Sequence, residues 1–237
     1  MKKNINYWMA VISLFTTVCL LTACNNRIDM PQKDNNMRER FENSIKIAKN
    51  HSNMVDHIMN SIAQTRADGG NCEEVIYTMF CDYIKDNGLE NIFDSEESIN
   101  NVLHPLDVED SINETIGNDF IADVETIIDN VTDKDMLKES LLELLIDNNN
   151  SQNIEDMLTM SGIAVDSYEY WNTQASTRGI LSAATRIVKA DVLSAGAYIC
   201  KCGLVALFSG ATPPGAGAIA LAAGFGSAVQ AVTLAFE

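Results

Sequence analysis

From Cys202 to Phe236 the chain carries no charged side chain. A run of that length must be taken out of water, into either a protein core or a bilayer. Its composition narrows the form it can take. Between Ala190 and Phe236 there are 13 Ala and seven Gly, and Gly210-Ala211-Thr212-Pro213-Pro214-Gly215 interrupts the run as a turn. The pattern predicts a hairpin of two small-residue helices, Val192 to Ser209 and Ala216 to Phe236. Ala216, Ala220, Gly224 and Ala228 recur every fourth residue, a face on which another helix backbone approaches closely. The arms would be ~27 and ~32 Å long, near the ~30 Å of a bilayer core. Against insertion stand Lys201, at a cost of about 2.5–3.5 kcal/mol for a Lys at mid-helix, and the weak insertion tendency of Ala. Both destinations stay open: residues 190–237 are a candidate membrane contact or a buried part of a helical bundle.

The other end of the chain is an export signal. Lys2-Lys3 precedes a mostly apolar run from Ile5 to Leu21, which closes at Leu21-Thr22-Ala23-Cys24. This ending resembles the lipobox of bacterial lipoproteins. The resemblance implies cleavage before Cys24 and attachment of lipid to its thiol and amine, and more than one acyl chain gives durable anchoring. Residues 1–23 are therefore expected to be a signal peptide, and the membrane is expected to be a partner through the N-terminal lipid. The expected location is the bacterial envelope, at the cell membrane or outer membrane.

Export also frames the cysteines. Cys19 leaves with the leader and Cys24 is consumed by lipid, so Cys72, Cys81, Cys200 and Cys202 remain as candidates for disulfides in an oxidising compartment. Cys72 and Cys81 on one helix would lie about 13 Å apart, and Cys200 and Cys202 would point about 200° apart, so any bridge is expected to be long-range. Their two unlike spacings, with no His nearby, do not form a zinc pattern.

Charge divides the rest. Residues 68–170 hold 26 acidic and three basic side chains, whereas 27–67 and 171–237 each have a small basic excess. The formal charge of −17 becomes −19 once Lys2 and Lys3 leave with the leader, which argues against nucleic acid as a partner. After a polar tether at 24–37, apolar residues recur at helical spacing. Phe41, Ile45, Ala48, Val55, Ile58 and Ile62 form one stripe; Ile76, Phe80 and Ile84 form a second, stopping at Gly88. Ser95 to Leu103 reads as a short helix before His104-Pro105. Ile112, Ile116, Phe120, Val124, Ile127 and Val131 mark one or two more. Asp133 then opens a helix bearing Leu137, Leu141, Leu144 and Leu145, closed by Asn148-Asn149-Asn150. No run alternates as a strand does. The expected fold is all-α: an acidic helical domain over 38–170, a connecting helix over 171–189 and the hydrophobic hairpin over 190–237.

Motifs that carry chemistry are few. Gly215-Ala216-Gly217-Ala218-Ile219-Ala220 fits a loose dinucleotide fingerprint, but follows two prolines and not a strand. His51, His57 and His104 are expected as surface or half-buried residues, and the six-residue spacing of the first two prevents a shared metal. Asp129, Asp133 and Asp135 lack the Gly and terminal Glu of a calcium loop. No catalytic residue, metal site or cofactor is assigned, and no enzyme is expected. Ser167-Tyr168-Glu169-Tyr170-Trp171 gathers aromatics in a chain that has few, and reads as a packing anchor between the acidic domain and the hairpin.

That aromatic element, followed by Arg186-Ile187-Val188-Lys189-Ala190-Asp191 and the Gly/Ala run, resembles a group of uncharacterised exported lipoproteins of Bacteroidetes bacteria. Their Gly/Ala-rich end is similar in composition to hydrophobic bacteriocins. The resemblance covers about residues 167–237. The chain departs from it in having more Ala than Gly and in Cys200-Lys201-Cys202. The resemblance implies no catalytic residue. Two functions follow as expectations. One is a non-catalytic envelope lipoprotein, an interaction or structural module with a buried hairpin. The other is a precursor of a membrane-active, bacteriocin-like C-terminal peptide.

Overall fold

The computed structural model describes residues 35–62, 72–88, 116, 118–178, 181–209 and 215–236. Among the described residues the protein is all-α, with seven helices and no strand. They are α1 (35–62), α2 (Cys72–Asp86), α3 (Asn118–Asn130), α4 (Lys134–Asp147), α5 (Ile154–Arg178), α6 (Leu181–Ser209) and α7 (Ala216–Phe236). The leader, Cys24, the 95–103 segment and His104 lie outside the described residues. By contact the chain divides into Met1–Glu39 and Arg40–Glu237, and of the first unit only the opening turn of α1 is described.

Local signals set several of these boundaries. Asp133 is extended at φ −150° and accepts the Met136 N–H at 2.8 Å, which caps α4 where the sequence placed its start. Asn148 ends α4, its N–H bonding back to the Leu144 carbonyl at 3.1 Å. Gly88, at φ +62°, follows α2 in the left-handed conformation that closes a helix without a Cβ penalty. The chain is already helical at residue 35, a few residues ahead of Arg38. Residues 171–189 fall into two helices, with α5 running through Arg178 and α6 beginning at Leu181.

Burial follows the apolar stripes, with small rotations. On α1, Phe41, Ala48, Val55, Ile58 and Ile62 are buried, but Ile45 is only half-buried and Ser44 takes the inner position. The reason is Gly162 of α5, whose missing side chain lets its backbone approach so closely that a Cβ would fall 2.8 Å from the Ser44 carbonyl carbon. Ile76, Phe80 and Ile84 of α2 are buried as expected; on α4, Leu142 is buried and Leu144 is half-buried.

Cross-helix contacts fix the directions. Arg40 pairs with Glu155, His51 with Asp166 and Asp56 with Tyr170, each at a sequence offset of 114 or 115 residues, so α1 and α5 run parallel. Ser167 and Asp191 are in contact about equally far from the α5–α6 connection, as in an antiparallel helix hairpin. Asp191 meets Ser227 while Ser194 faces Gly226, so α7 returns antiparallel to α6 and parallel to α1 and α5. Phe80 of α2 packs edge-on against Phe225 of α7, with ring centroids 5.2 Å apart.

Candidate functional site: a buried Asp–His–Asp cluster

Three helices bring ionisable side chains to one point in the core. His51 of α1 is fully buried, and so is Asp191 of α6; Asp166 of α5 is 5% exposed. His51 Nδ1 lies 3.1 Å from Asp166 Oδ2, and Nε2 lies 3.2 Å from Asp191 Oδ2. A carboxylate oxygen only accepts, so both ring nitrogens must donate, and the ring is an imidazolium. Burial by itself depresses the histidine pKa. The charge of Asp191, with the hydrogen bonds to both carboxylates and the charge of Asp166, outweighs it and raises the value from 6.5 to about 9.

Hydroxyls complete the shell. Asp166 accepts the Ser52 N–H at 3.1 Å and the Ser52 hydroxyl at 3.3 Å. Asp191 Oδ2 accepts from the hydroxyls of Ser167 and Ser227, the latter at 3.0 Å. Ser227 in turn accepts the Trp171 indole N–H at 3.0 Å. Four helices thus meet through one imidazolium, two carboxylates and three serines. Asp191 Oδ1 is buried without a hydrogen-bond partner among the described residues, so this carboxylate is stabilised through one oxygen alone.

This placement corrects the reading of His51 as a surface or half-buried histidine. His57 is half-buried, its ring tilted against Tyr83 at 5.1 Å between centroids. A signal for His51 was present: it lies three residues after Ala48 and four before Val55, squarely within the α1 stripe. Asp191 likewise sits between Val188 and Val192, both buried. Polar residues at such positions must find partners, and here they find each other.

Chemically, the cluster holds charge. Both ring nitrogens are engaged by carboxylates and the ring is out of solvent, so nothing there deprotonates a nucleophile or reaches a substrate. Among the described residues no group of three or more His, Cys, Asp or Glu is disposed to hold a metal ion. The acids of the 129–135 stretch have separate tasks: Asp129 pairs with Lys189 at 2.6 Å, and Asp133 caps α4.

The aromatic element divides by function. Trp171 is buried and joins α5 to α7 through Ser227, while Tyr170 donates its hydroxyl to Asp56 at 2.9 Å. Tyr168 lines an open surface groove of about 290 Å³ with Thr132, Lys134 and Asn172. Cys81 and Cys200 are thiols, and the side chains of Cys72 and Cys202 lie outside the described ones. Among the described residues no helix is long and apolar enough to cross a membrane. Comparison of the chain with protein-family models, with curated proteins and with solved structures gives no match.

Proposed function

We propose that the chain is a non-catalytic lipoprotein of the bacterial envelope, anchored through Cys24, in which the C-terminal hairpin is a structural part of an interaction module. The seating of α7 carries the structural half of this reading. Gly224 approaches the backbone of α1, and Ser227 is hydrogen-bonded to Asp191 of α6 and Trp171 of α5, so the uncharged helix has partners inside the protein. The anchoring half is supported by the sequence Leu21-Thr22-Ala23-Cys24 behind a basic and apolar leader. The acids of residues 68–170 give the module a strong negative charge, suited to a basic protein partner.

The test has two arms. Labelled fatty acid should enter the wild type and not Cys24→Ser; equal labelling of both would remove the lipid anchor from the proposal. The full mature chain should leave anionic liposomes intact, whereas the alternative, a membrane-active C-terminal peptide, requires residues 190–237 to leak them once released. The uncharged run from Cys202 to Phe236 is what favours that alternative. Leakage by a naturally processed C-terminal fragment would replace the structural reading with it.

A further inference from the structure

We propose that seating of the C-terminal helix is proton-linked: the Asp166–His51–Asp191 cluster, closed by Ser227, is a latch that holds α7 while His51 carries both ring protons and releases it when one is lost. The inference concerns the helical core and is independent of lipidation.

The geometry demands the proton. With His51 neutral, one ring nitrogen would present a lone pair to a carboxylate oxygen 3.1 or 3.2 Å away, and two buried carboxylates would share no cation. Among the described residues no other element supplies a replacement. From α1 the cluster receives His51 and the neutral Ser52; from α5, Asp166, Ser167 and Trp171; from α6, Asp191; from α7, Ser227. The nearest basic residue on α6, Lys189, is engaged with Asp129.

The same inventory identifies which helix lets go. α1 is also tied to α5 by Arg40–Glu155 and to α4 by Glu42–Lys138, and α6 is tied to α3 by Lys189–Asp129. From Ala216 to Phe236 there is no charged side chain, so α7 makes no ion pair at all. Among the described side chains its polar hold on the core is Ser227, and Gly224 packs it against the carbonyl of His51 itself. Loss of the imidazolium therefore weakens the polar hold on α7 and leaves it to its apolar packing through Ile219, Leu221 and Phe225.

The direction follows from linkage. The pKa of His51 is raised in the folded protein, from 6.5 to about 9. Its contribution is fully present below the ordinary histidine value and is lost as pH rises through the raised one. Between the two, each pH unit should shift the seated-to-released ratio about tenfold.

The chain supplies its own reporter. Of two tryptophans, Trp8 lies in the leader, so the mature chain has only Trp171, which is bonded to Ser227 of α7. The experiment follows the Trp171 emission wavelength of the mature Cys24→Ser chain between pH 6 and 10.5, with the His51 ring protons titrated by NMR in the same sample. The expected result is a red shift whose midpoint coincides with the His51 titration. It should be absent in His51→Gln and should come at lower pH in Ser227→Ala, which weakens the hold on α7. An emission unchanged through the His51 titration overturns the proposal, as does a red shift that survives in His51→Gln. If His51→Gln does not fold, Ser227→Ala decides, because a midpoint identical to wild type would show that α7 is not part of the latch.

Discussion

Gly224 of α7 lies so close to His51 of α1 that a Cβ built on the glycine would stand 2.8 Å from the His51 carbonyl oxygen and 3.0 Å from the Met54 Cβ. Neither neighbour is the far end of a flexible side chain, so even a methyl group must move a helix backbone.

Gly224→Ala should therefore destabilise the mature protein by about 1–3 kcal/mol, the usual cost of overpacking, although alanine favours a helix by about 1 kcal/mol over glycine. Thermal unfolding followed by circular dichroism reads the sum. Gly215, whose carbonyl accepts the N–H groups of Ala218 and Ile219 at the start of α7, has open space around it. Gly215→Ser should be neutral or stabilising by a few tenths of a kcal/mol, as serine is a good N-cap. A Gly224→Ala protein that melts no lower than wild type would mean that α7 is not seated against α1.

Removing one partner of the cluster should cost more than removing all of it. Asp191→Ala leaves His51 buried with Asp166 alone and two serines without their acceptor; breaking a buried pair in this way costs about 3–5 kcal/mol. Replacing His51, Asp166 and Asp191 together by leucine leaves no buried charge and should cost less than the single change. Urea unfolding at pH 7 measures both, and a triple variant weaker than Asp191→Ala would contradict this ordering.

Asp133→Ala removes the acceptor of the Met136 N–H and should cost about 1 kcal/mol, the usual value of an N-cap. The effect should be local: amide exchange in the first turn of α4 should speed up more than in its C-terminal half. Uniform acceleration across α4 would indicate that the cap serves the whole helix.

Salt tests how the acidity is held. Among the described residues, ion pairs that link helices across the surface include Arg40–Glu155, Glu42–Lys138, Lys134–Glu169 and Asp129–Lys189. Partly exposed pairs of this kind contribute about 0–1 kcal/mol each and are screened by salt. The −17 charge of the chain, −19 once the proposed leader is removed, opposes compaction and is screened as well. Most acids have no basic partner available to them, since 33 face 16 Lys and Arg in the full sequence. Repulsion should therefore dominate, and the melting temperature should rise from low to moderate salt. A fall would show that the cross-helix pairs outweigh the net charge.

What the sequence made legible was local. Asp133, Asn148 and Gly88 marked their helix ends because caps and left-handed turns are decided within a few residues. The stripe of α2 was readable from period alone, and that of α4 apart from Leu142, which is buried where Leu144 was expected. The cluster was not, because its partners lie 115 and 140 residues from His51. A histidine in an apolar stripe announces that it needs an acceptor without saying which of the many acids provides it. Likewise Ser44 displaced Ile45 from the core because of a glycine on another helix, which no reading of α1 by itself contains.

The parallel register of α1 and α5 bears on the order of events in synthesis. The buried partners of His51 and the backbone that Gly224 meets place α1 against helices more than a hundred residues downstream, α5, α6 and α7. Closing a loop of that size is slow rather than prohibitive, since each doubling of length adds only about 0.6 kcal/mol of entropy. Until the last third of the chain has been delivered, however, the face of α1 that meets α5, α6 and α7 stays uncovered and His51 has no counter-ion. A nascent or prematurely ended chain therefore presents a naked apolar ridge at its N-terminal end, a handle that chaperones and proteases recognise in unfinished proteins.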